Sequence, residues 1–263
     1  MLFEIEAIAR EAGEVALGHQ ASLAALEVAA KGHLDFVTTA DRAVEQLIEN
    51  RLRDTFPNDG IHGEEGTAVP SRTGRVWVVD PIDGTFNFVR GGDQWAISIG
   101  LYEVGSPRLG VIHAPARAWT LVGGIDHPPH FNGVAVPALA PFASERASVG
   151  VGFHPTIPAR ARLNVLGALV ADFEISIRCC GSATISLLEV IRGQTDAYIG
   201  MGESTWDVMA ALPILERLGA ASTLEWQNIH LDQKLCFCVG KPELVALLAS
   251  LVTSDGTPIA DEA

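Results

Sequence analysis

The spacing of hydrophobic positions predicts two helices in the first part of the chain. Apolar residues recur three and four positions apart over residues 2–20 and again over 40–55, which is typical of amphipathic helices. The apolar faces are formed by Leu2, Ile5, Ile8 and Ala12 in the first helix, and by Val44, Leu47, Ile48 and Leu52 in the second. Thr38 or Thr39 can cap the second helix with its side-chain oxygen.

Strand-like patterns fill most of the remaining first half. Residues 26–38 predict a hairpin around Gly32, and the continuous apolar run 76–79 predicts a buried strand. Two longer stretches, "WAISIGLYEVG" and "RLGVIHAPARAWTLVGG", predict further strands with antiparallel character. The segment "FPNDGIHGEEG" between helix and strand predicts a short extended piece rich in turn-forming residues.

The pattern changes after a proline-containing segment at 125–144, which we interpret as a boundary. Beyond it, strands and helices alternate as in a layered α/β structure. The predicted elements are strand 147–153, helix 158–171, strand 174–180, helix 183–192, strand 196–201, helix 206–218, the strand "LCFCVG" and helix 241–252. We therefore expect an α+β half over 1–140 and an α/β half over 141–263, joined in one catalytic unit.

Composition and charge narrow the class of function. The chain has 263 residues and a net charge of −14, and no segment approaches the roughly 20 apolar residues of a membrane-spanning helix. Nucleic acids and anionic membranes need a basic surface, so neither is expected as a partner. The spacing of Cys179, Cys180, Cys236 and Cys238 does not match a metal knuckle. With no export signal, we expect buried free thiols on strands and a cytoplasmic location.

Two acids follow the predicted strand 76–79 directly. Asp80 and Asp83 are expected in a turn that Pro81 fixes, and Gly84 lets the backbone approach a ligand closely. If a helix begins near Thr85, its free N–H groups point at the same place. Carboxylates beside an anion-binding turn suit a divalent cation with a phosphate, although an isolated pair could equally be a helix cap and a turn residue.

Further acids stand at the ends of other predicted elements. Glu64 and Glu65 lie in a glycine-flanked loop, whereas Asp41 and Asp207 each stand at the start of a helix. Each of them alone could simply favour a helix or a turn. Together they form the kind of oxygen-rich set that a Mg²⁺ site recruits.

Motifs over nearly the whole chain resemble the inositol monophosphatase family. They are "DFVTTADRAVE", "GEE", "WVVDPIDGTFNF", "CCGSATISLLEVIRGQTDAYIG" and "STWDVMAA", in family order and at family-like spacing. The resemblance implies an α/β (α+β) layered sandwich of the inositol monophosphatase and fructose-1,6-bisphosphatase type, with alternating helix and sheet layers. It also implies a homodimer and a Mg²⁺-dependent, Li⁺-sensitive phosphatase with two or three Mg²⁺ ions per site.

The resemblance also implies a role for each matching residue. Metal ligands would be Glu64, Asp80 and the Ile82 carbonyl for the first ion, and Asp80, Asp83 and Asp207 for the second, with Glu65 helping a weaker third. Gly84 and Thr85 would bind the phosphate through backbone N–H groups, and Thr85 with Asp41 and Glu64 would serve water activation. Gly181, Ser182 and Ala183 would line the organic part of the substrate.

Two cations would explain how an acidic protein handles an anionic substrate. The carboxylates attract Mg²⁺, and Mg²⁺ attracts the phosphate. Metal ions can also lower the pKa of a water molecule and neutralise a leaving alkoxide. No serine or cysteine nucleophile is needed for this chemistry.

The sequence departs from the family pattern on the alcohol side. Family enzymes that act on inositol phosphates carry an acid seven residues before the aspartate of "WD", where this chain has Gly200. Glu203, three residues later, is a candidate replacement. The alternatives to inositol monophosphate are histidinol phosphate and, less favoured, a sugar or nucleotide phosphate. A protein that keeps the fold but binds a macromolecular partner remains an alternative of another class.

Overall fold

The computed structural model of the protein describes residues 1–23, 28–32 and 35–252. These residues form five layers in which helices and β-sheets alternate. The helices are α1 (Leu2–Gln20), α2 (Thr39–Thr55), α3 (Thr85–Phe88), α4 (Ala159–Gly167), α5 (Ala183–Ile191), α6 (Thr205–Val208), α7 (Leu212–Arg217) and α8 (Pro242–Leu248). The alternating layers predicted from the sequence are confirmed.

The first half of the chain builds a large sheet. Its strands are β3 (Gly60–Gly63), β4 (Ala68–Val69), β5 (Arg75–Asp83), β6 (Ala96–Glu103), β7 (Ser106–Ala114), β8 (Trp119–Gly124), β9 (His127–Phe131) and β10 (Val134–Ala135). They lie in the order β10-β9-β8-β7-β6-β5-β3-β4, and only β3 and β5 pair in parallel. The antiparallel character predicted for this half is therefore confirmed. A separate hairpin pairs β1 (Val28–Gly32) with β2 (Asp35–Thr38), and its connection at 33–34 lies outside the described residues.

The second half builds a smaller mixed sheet. Its strands are β11 (Ser148–Phe153), β12 (Ser176–Arg178), β13 (Ala197–Glu203), β14 (Ala221–Ser222) and β15 (Leu235–Gly240), in the order β12-β11-β13-β15-β14. Strand β11 runs parallel to both of its neighbours, whereas β15 is antiparallel to β13 and β14. Because β10 of the large sheet ends at Ala135, the chain changes sheets between 136 and 147. The division at residue 140 stays a prediction.

Three hydrophobic cores hold the five layers together. One joins α1 and α2 to one face of the large sheet, including the fully buried Trp77. A second joins the opposite face to α5–α7 and, through Tyr198 and Phe237, to the small sheet. The third packs α4 and α8 on the outer face of the small sheet. Strand alternation supplies both faces of the large sheet, since Ile97 and Ala96 belong to different cores.

Several predicted elements differ from the structure in their ends. The helix predicted over 206–218 is broken into α6 and α7, because Pro213 has no N–H to donate to the carbonyl four residues earlier. In place of the single helix predicted over 158–171, the structure has α4 followed by a π-helical turn at Ala168–Asp172. The strand predicted over 174–180 contains only β12, so Cys179 and Cys180 lie beyond it. All four cysteines are free as expected, but Cys179 is exposed rather than buried.

Among the described residues, no helix combines the length and apolarity that crossing a membrane would require.

A close approach between α1 and β7 generates a stability prediction. A Cβ added at Gly13 would lie 2.6 Å from Cδ2 of the buried His113 ring, and Nδ1 of that ring lies 2.9 Å from the Thr120 hydroxyl. Because the ring is held in place, we expect Gly13→Ala to lower the free energy of unfolding by about 1–3 kcal/mol. At Gly18 of the same helix an added Cβ meets nothing within 4 Å, so Gly18→Ala should raise it by up to about 1 kcal/mol. Urea denaturation of both variants measures the difference, and stabilisation by both would contradict this packing.

Candidate metal centre and active site

A β-bulge brings Asp80 and Asp83 to the same side of the large sheet. Residues three apart on a regular strand point to opposite faces. In β5, Asp80 pairs with Ser98 and Asp83 pairs with Ala96, so three steps on β5 match two steps on β6. The extra residue resets the alternation. The strand therefore continues through both acids, and the turn predicted at this point is wrong.

One oxygen of each acid on β5 is fixed by the surrounding backbone. Asp80 Oδ1 accepts a hydrogen bond of 3.0 Å from the Ile82 N–H, and Asp83 Oδ2 accepts bonds from the Ser182 hydroxyl at 2.7 Å and the Thr184 N–H at 2.5 Å. These bonds orient both carboxylates and tie β5 to the start of α5.

Asp41 and Asp207 are oriented by a different device, the capping box of a helix. Asp41 Oδ2 accepts a 2.8 Å bond from the Thr38 N–H at the start of α2. Asp207 Oδ2 likewise accepts a 2.6 Å bond from the Ser204 N–H at the start of α6. A capping box at a helix start needs an acid or amide at its third position. Each of these two acids can therefore stabilise the start of its helix and also take part in a functional site.

Three of the carboxylates converge into one cluster. Ligand oxygens of Asp80, Asp83 and Asp207 all lie within 4.8 Å of one another. Burial raises the pKa of all three, and the charge of neighbouring acids adds to the rise for Asp80 and Asp207. Such a cluster is electrostatically unfavourable without a cation. Its hard oxygen donors at this spacing fit a divalent ion, so the cluster could hold one.

The two glutamates of the "GEE" loop are placed differently. Glu64 follows β3, where its N–H donates to the Val79 carbonyl at 3.1 Å, and its side chain shares a hydrogen bond with Asp80. Glu65 instead lines a separate surface cavity with Arg42, and its N–H donates to Glu45. The structure brings Glu64 to the cluster but does not bring Glu65, so a role for Glu65 in holding a third ion receives no support.

Thr85 stands between the acid cluster and Asp41. Its hydroxyl lies 3.2 Å from Asp41 Oδ1 and 3.0 Å from the Ile82 carbonyl oxygen. Burial raises the pKa of Asp41, while hydrogen bonds from Thr38 and Thr85 oppose that rise. Gly84 precedes α3 with a φ of +93°, and an added Cβ would lie 2.7 Å from the Gln94 carbonyl oxygen. Only glycine therefore fits at this turn.

The Gly181-Ser182-Ala183 segment is placed against this turn from the other half of the chain. The Asn87 amide of α3 donates to the carbonyls of Gln94 at 2.7 Å and Cys180 at 2.8 Å. Ser182 caps α5 and bonds to Asp83, so it supports the acid cluster as well as lining a cavity. Gly181 and Ala183 line the same cavity as Ser182, and Asp83 of the acid cluster is also part of its wall.

A cavity of about 320 Å³ opens over the acid cluster. Glu64, Asp80, Asp83, Thr85 and Asp207 all line it. The wall of this cavity also includes residues to which the sequence assigns no role, among them Phe86, His154, Ser204 and Lys234. Lys234 Nζ lies 2.6 Å from the Ser204 hydroxyl, which fixes a positive charge at the rim. Phe86 and Ser204 lie within quoted motifs, in which no role is assigned to them, whereas His154 and Lys234 lie outside the quoted motifs and only the fold reveals them.

A neighbouring cavity of about 300 Å³ shares Asp83, Phe86 and Gly181 with the first. Its walls include Tyr198 and Glu203. Burial raises the pKa of Glu203 to about 7, and a hydrogen bond from Tyr198 opposes that rise. Glu203, which the sequence marked as a candidate replacement for an acid at Gly200, thus lies at the second cavity.

The cysteine beside the site is not suited to nucleophilic catalysis. Cys180 is buried, and its Sγ lies 2.9 Å from the Ser186 hydroxyl. Burial raises the pKa of this thiol to about 11, so it stays protonated near neutral pH. Cys180 is therefore not expected to act as the nucleophile of this site.

Comparisons with known proteins agree with this geometry. The inositol-1-monophosphatase of Bacillus subtilis is 32% identical over 214 residues, covering 80% of this chain and 80% of that protein. The histidinol-phosphatase of Mycobacterium tuberculosis is 48% identical over a shorter stretch of 101 residues, covering 38% of this chain and 39% of that protein. The extragenic suppressor protein suhB of Bartonella henselae has a solved structure that matches with a TM-score of 0.85 at 25% identity, covering 93% of this chain and 95% of that one.

The model of the "Inositol monophosphatase family" matches residues 1–253. The expected sandwich of the inositol monophosphatase type is confirmed, because family structures match nearly the whole chain, among them the inositol monophosphatase of Thermotoga maritima with a TM-score of 0.78 at 27% identity, covering 94% of this chain and 95% of that one. The chain therefore belongs to the inositol monophosphatase family.

Proposed function

We propose that the protein is a Mg²⁺-dependent phosphatase that hydrolyses a small alcohol phosphate monoester. The observation that carries the proposal is the convergence of Asp80, Asp83 and Asp207 oxygens within 4.8 Å, beside the Gly84 turn and under a cavity of about 320 Å³. Membership of a family that includes named phosphatases supports it. Inositol monophosphate is the default substrate.

Two or three Mg²⁺ ions would be held by Glu64, Asp80, Asp83, Asp207 and the Ile82 carbonyl. When bound, they would supply Lewis acidity that lowers the pKa of water and neutralises phosphoryl and leaving-group oxygens. The chain's own groups would bind and orient the ester. The Gly84 and Thr85 N–H groups would bind phosphoryl oxygens, and the cavity walls would hold the ester in place.

Thr85 and Asp41 form the acceptor pair for the proton of the attacking water. The Thr85 hydroxyl can donate to Asp41 Oδ1, 3.2 Å away, and accept a hydrogen bond from water with its lone pairs. Asp41 is buried and its other oxygen is fixed by Thr38, so the pair is rigid. This arrangement orients a water molecule and gives its proton a path to a carboxylate.

Histidinol phosphate is the second candidate substrate. The 48% identity with the histidinol-phosphatase of Mycobacterium tuberculosis favours it, as does the replacement of the family's hydroxyl-binding acid by Gly200. The family resemblance further predicts inhibition by Li⁺ and assembly as a homodimer. Ca²⁺ should inhibit because its larger and looser coordination shell misplaces the reacting groups.

A substrate panel tests the reaction class. Phosphate release is measured from inositol 1-phosphate, histidinol phosphate, glycerol 2-phosphate, adenosine 3′,5′-bisphosphate and fructose 1,6-bisphosphate, with Mg²⁺ and with excess EDTA. We expect one monoester to be turned over far faster than the others, and only with Mg²⁺. Full activity in EDTA would refute the metal requirement, and no hydrolysis of any ester would favour a binding role for the fold.

The metal site can be tested without any substrate. Mg²⁺ should raise the melting temperature, because a ligand at a hundredfold excess over its Kd stabilises the folded state by about 2.7 kcal/mol. We expect Asp80→Asn to abolish this shift, and the metal-free variant to be at least as stable as wild type because one clustered charge is gone. Asp232→Asn, whose side chain is 91% exposed, is the control that should keep the shift. An unchanged Mg²⁺ response in Asp80→Asn would contradict the assigned site.

The role of Thr85 gives a prediction with a matched pair of variants. Thr85→Val keeps the shape and removes the hydroxyl, so kcat should fall by about 10²–10⁴-fold because the acceptor pair is broken. Thr85→Ser keeps the hydroxyl and should remain within about tenfold of wild type. Steady-state kinetics on the best ester compares them. Similar kcat values for the two variants would show that the hydroxyl has no part in the reaction.

A further inference from the structure

Glu203 reaches the neighbouring cavity through an irregularity in β13. Met201 pairs with Cys236 and Glu203 pairs with Leu235, so Gly202 is an extra residue on this strand. Its φ of +88° is one that glycine adopts without strain. The bulge resets the alternation, so Glu203 faces the same side of the sheet as Gly200 three residues earlier.

Two glycines leave the space that the Glu203 side chain occupies. A Cβ added at Gly200 would lie 2.8 Å from Glu203 Cγ and 2.8 Å from the Phe237 ring. A Cβ added at Gly152 on the adjacent strand β11 would overlap both the Tyr198 hydroxyl and Glu203 Oε1. The Glu203 side chain thus fills the space that a side chain at position 200 would otherwise occupy.

Tyr198 fixes the direction of the carboxylate. Its hydroxyl donates to Glu203 Oε1 at 2.5 Å, and its ring is buried against Phe237 with ring centroids 5.8 Å apart. Because packing holds the Tyr198 ring in place, its hydroxyl stays in position to bond to Glu203. Tyr198 engages Oε1, and the Glu203 carboxylate also shares a hydrogen bond with Asp207. A carboxylate has about four lone-pair sites, so Glu203 can still accept a hydrogen bond from a ligand in the cavity.

The second cavity adjoins the cavity over the acid cluster. It shares Asp83, Phe86, His154 and Gly181 with the cavity over the cluster, so one ligand can occupy both. Gly84 lines the first cavity and Glu203 lines the second, so an ester with its phosphate at the Gly84 turn would reach Glu203 by extending past the shared residues.

We propose that Glu203, oriented by Tyr198, selects phosphate esters whose alcohol carries a hydrogen-bond donor, either a hydroxyl or an ammonium group. The inference rests on the proposed phosphatase function and adds the part of the substrate that it leaves open. An ester without such a donor would cover the Glu203 carboxylate without bonding to it, and a site built to bond a donor discriminates against a ligand that lacks one. Tyr198 acts as a positioning residue.

Glu203 also shares a hydrogen bond with Asp207, so the experiment must separate substrate recognition from cation binding. The variants are Glu203→Ala, Glu203→Gln and Tyr198→Phe. For each, kcat and KM are measured on inositol 1-phosphate, on histidinol phosphate and on p-nitrophenyl phosphate, whose leaving group carries no donor. The Mg²⁺ affinity of each variant is measured by calorimetry.

We expect Glu203→Ala to lower the ratio of kcat/KM for the preferred donor-bearing ester to that for p-nitrophenyl phosphate by at least about tenfold, mainly through KM. Tyr198→Phe should lower the same ratio by a smaller factor. Glu203→Gln distinguishes the donors: an ammonium loses its charged partner and the ratio falls as in Glu203→Ala, whereas a hydroxyl can still bond to the amide oxygen and the ratio falls less.

Equal falls on all esters, or a fall that follows a loss of Mg²⁺ affinity, would overturn the inference and assign Glu203 to the cation site. An unchanged ratio would overturn it as well. If wild type hydrolyses none of the esters, the phosphatase proposal fails separately, and binding of the same esters to the Ca²⁺-loaded protein decides the inference. In that assay Glu203→Ala should weaken binding of the preferred donor-bearing ester at least about tenfold more than binding of p-nitrophenyl phosphate.

Discussion

The twofold alternation of a β-strand is the constraint that shapes this site. Acids three residues apart on a regular strand would point to opposite faces, so a strand alone cannot direct both Asp80 and Asp83 into one cavity. The bulge in β5 removes that conflict, and the bulge at Gly202 in β13 does the same for Gly200 and Glu203. Each of the two cavities therefore depends on one extra residue in a strand, and the surrounding layers hold each bulge in place.

Concentrating negative charge in a buried cluster is costly, and the structure manages it by fixing one oxygen of each carboxylate. Backbone N–H groups from Ile82, Thr184 and Ser204 bond to the three acids of the cluster. They reduce the cost of burial without neutralising the charge that would attract a cation. The cluster is also assembled from both halves of the chain, since Asp207 comes from α6, which the Ser98 hydroxyl of β6 holds through the Trp206 carbonyl at 3.1 Å. Neither sheet could build it alone.

The sequence predicted the layers and the acids of the cluster for identifiable physical reasons. Helical periodicity predicted α1 and α2, and acids at the ends of several predicted elements indicated a possible cation site, whereas the family resemblance carried the assignment of Asp80, Asp83 and Asp207 to one site. Prediction from the sequence failed where the outcome depends on pairing register or packing between distant segments. The bulge in β5 stands where the sequence predicts a turn, and Pro213 interrupts the helix predicted over 206–218. Lys234 and His154 carry no local signal at all.

The alcohol side illustrates a limit of reading positions one at a time. Gly200 alone indicates a missing acid, and Glu203 alone indicates an acid out of place. The spatial relation of the two, with Gly152 and Tyr198, shows that the Glu203 side chain occupies the space left free at Gly200. Motif comparison is reliable for the metal side because its ligands are fixed by the chemistry of the ion. The alcohol side has no such fixed requirement, so its acid can move along the strand when glycines and a bulge make room, and its chemistry has to be inferred from the packed structure.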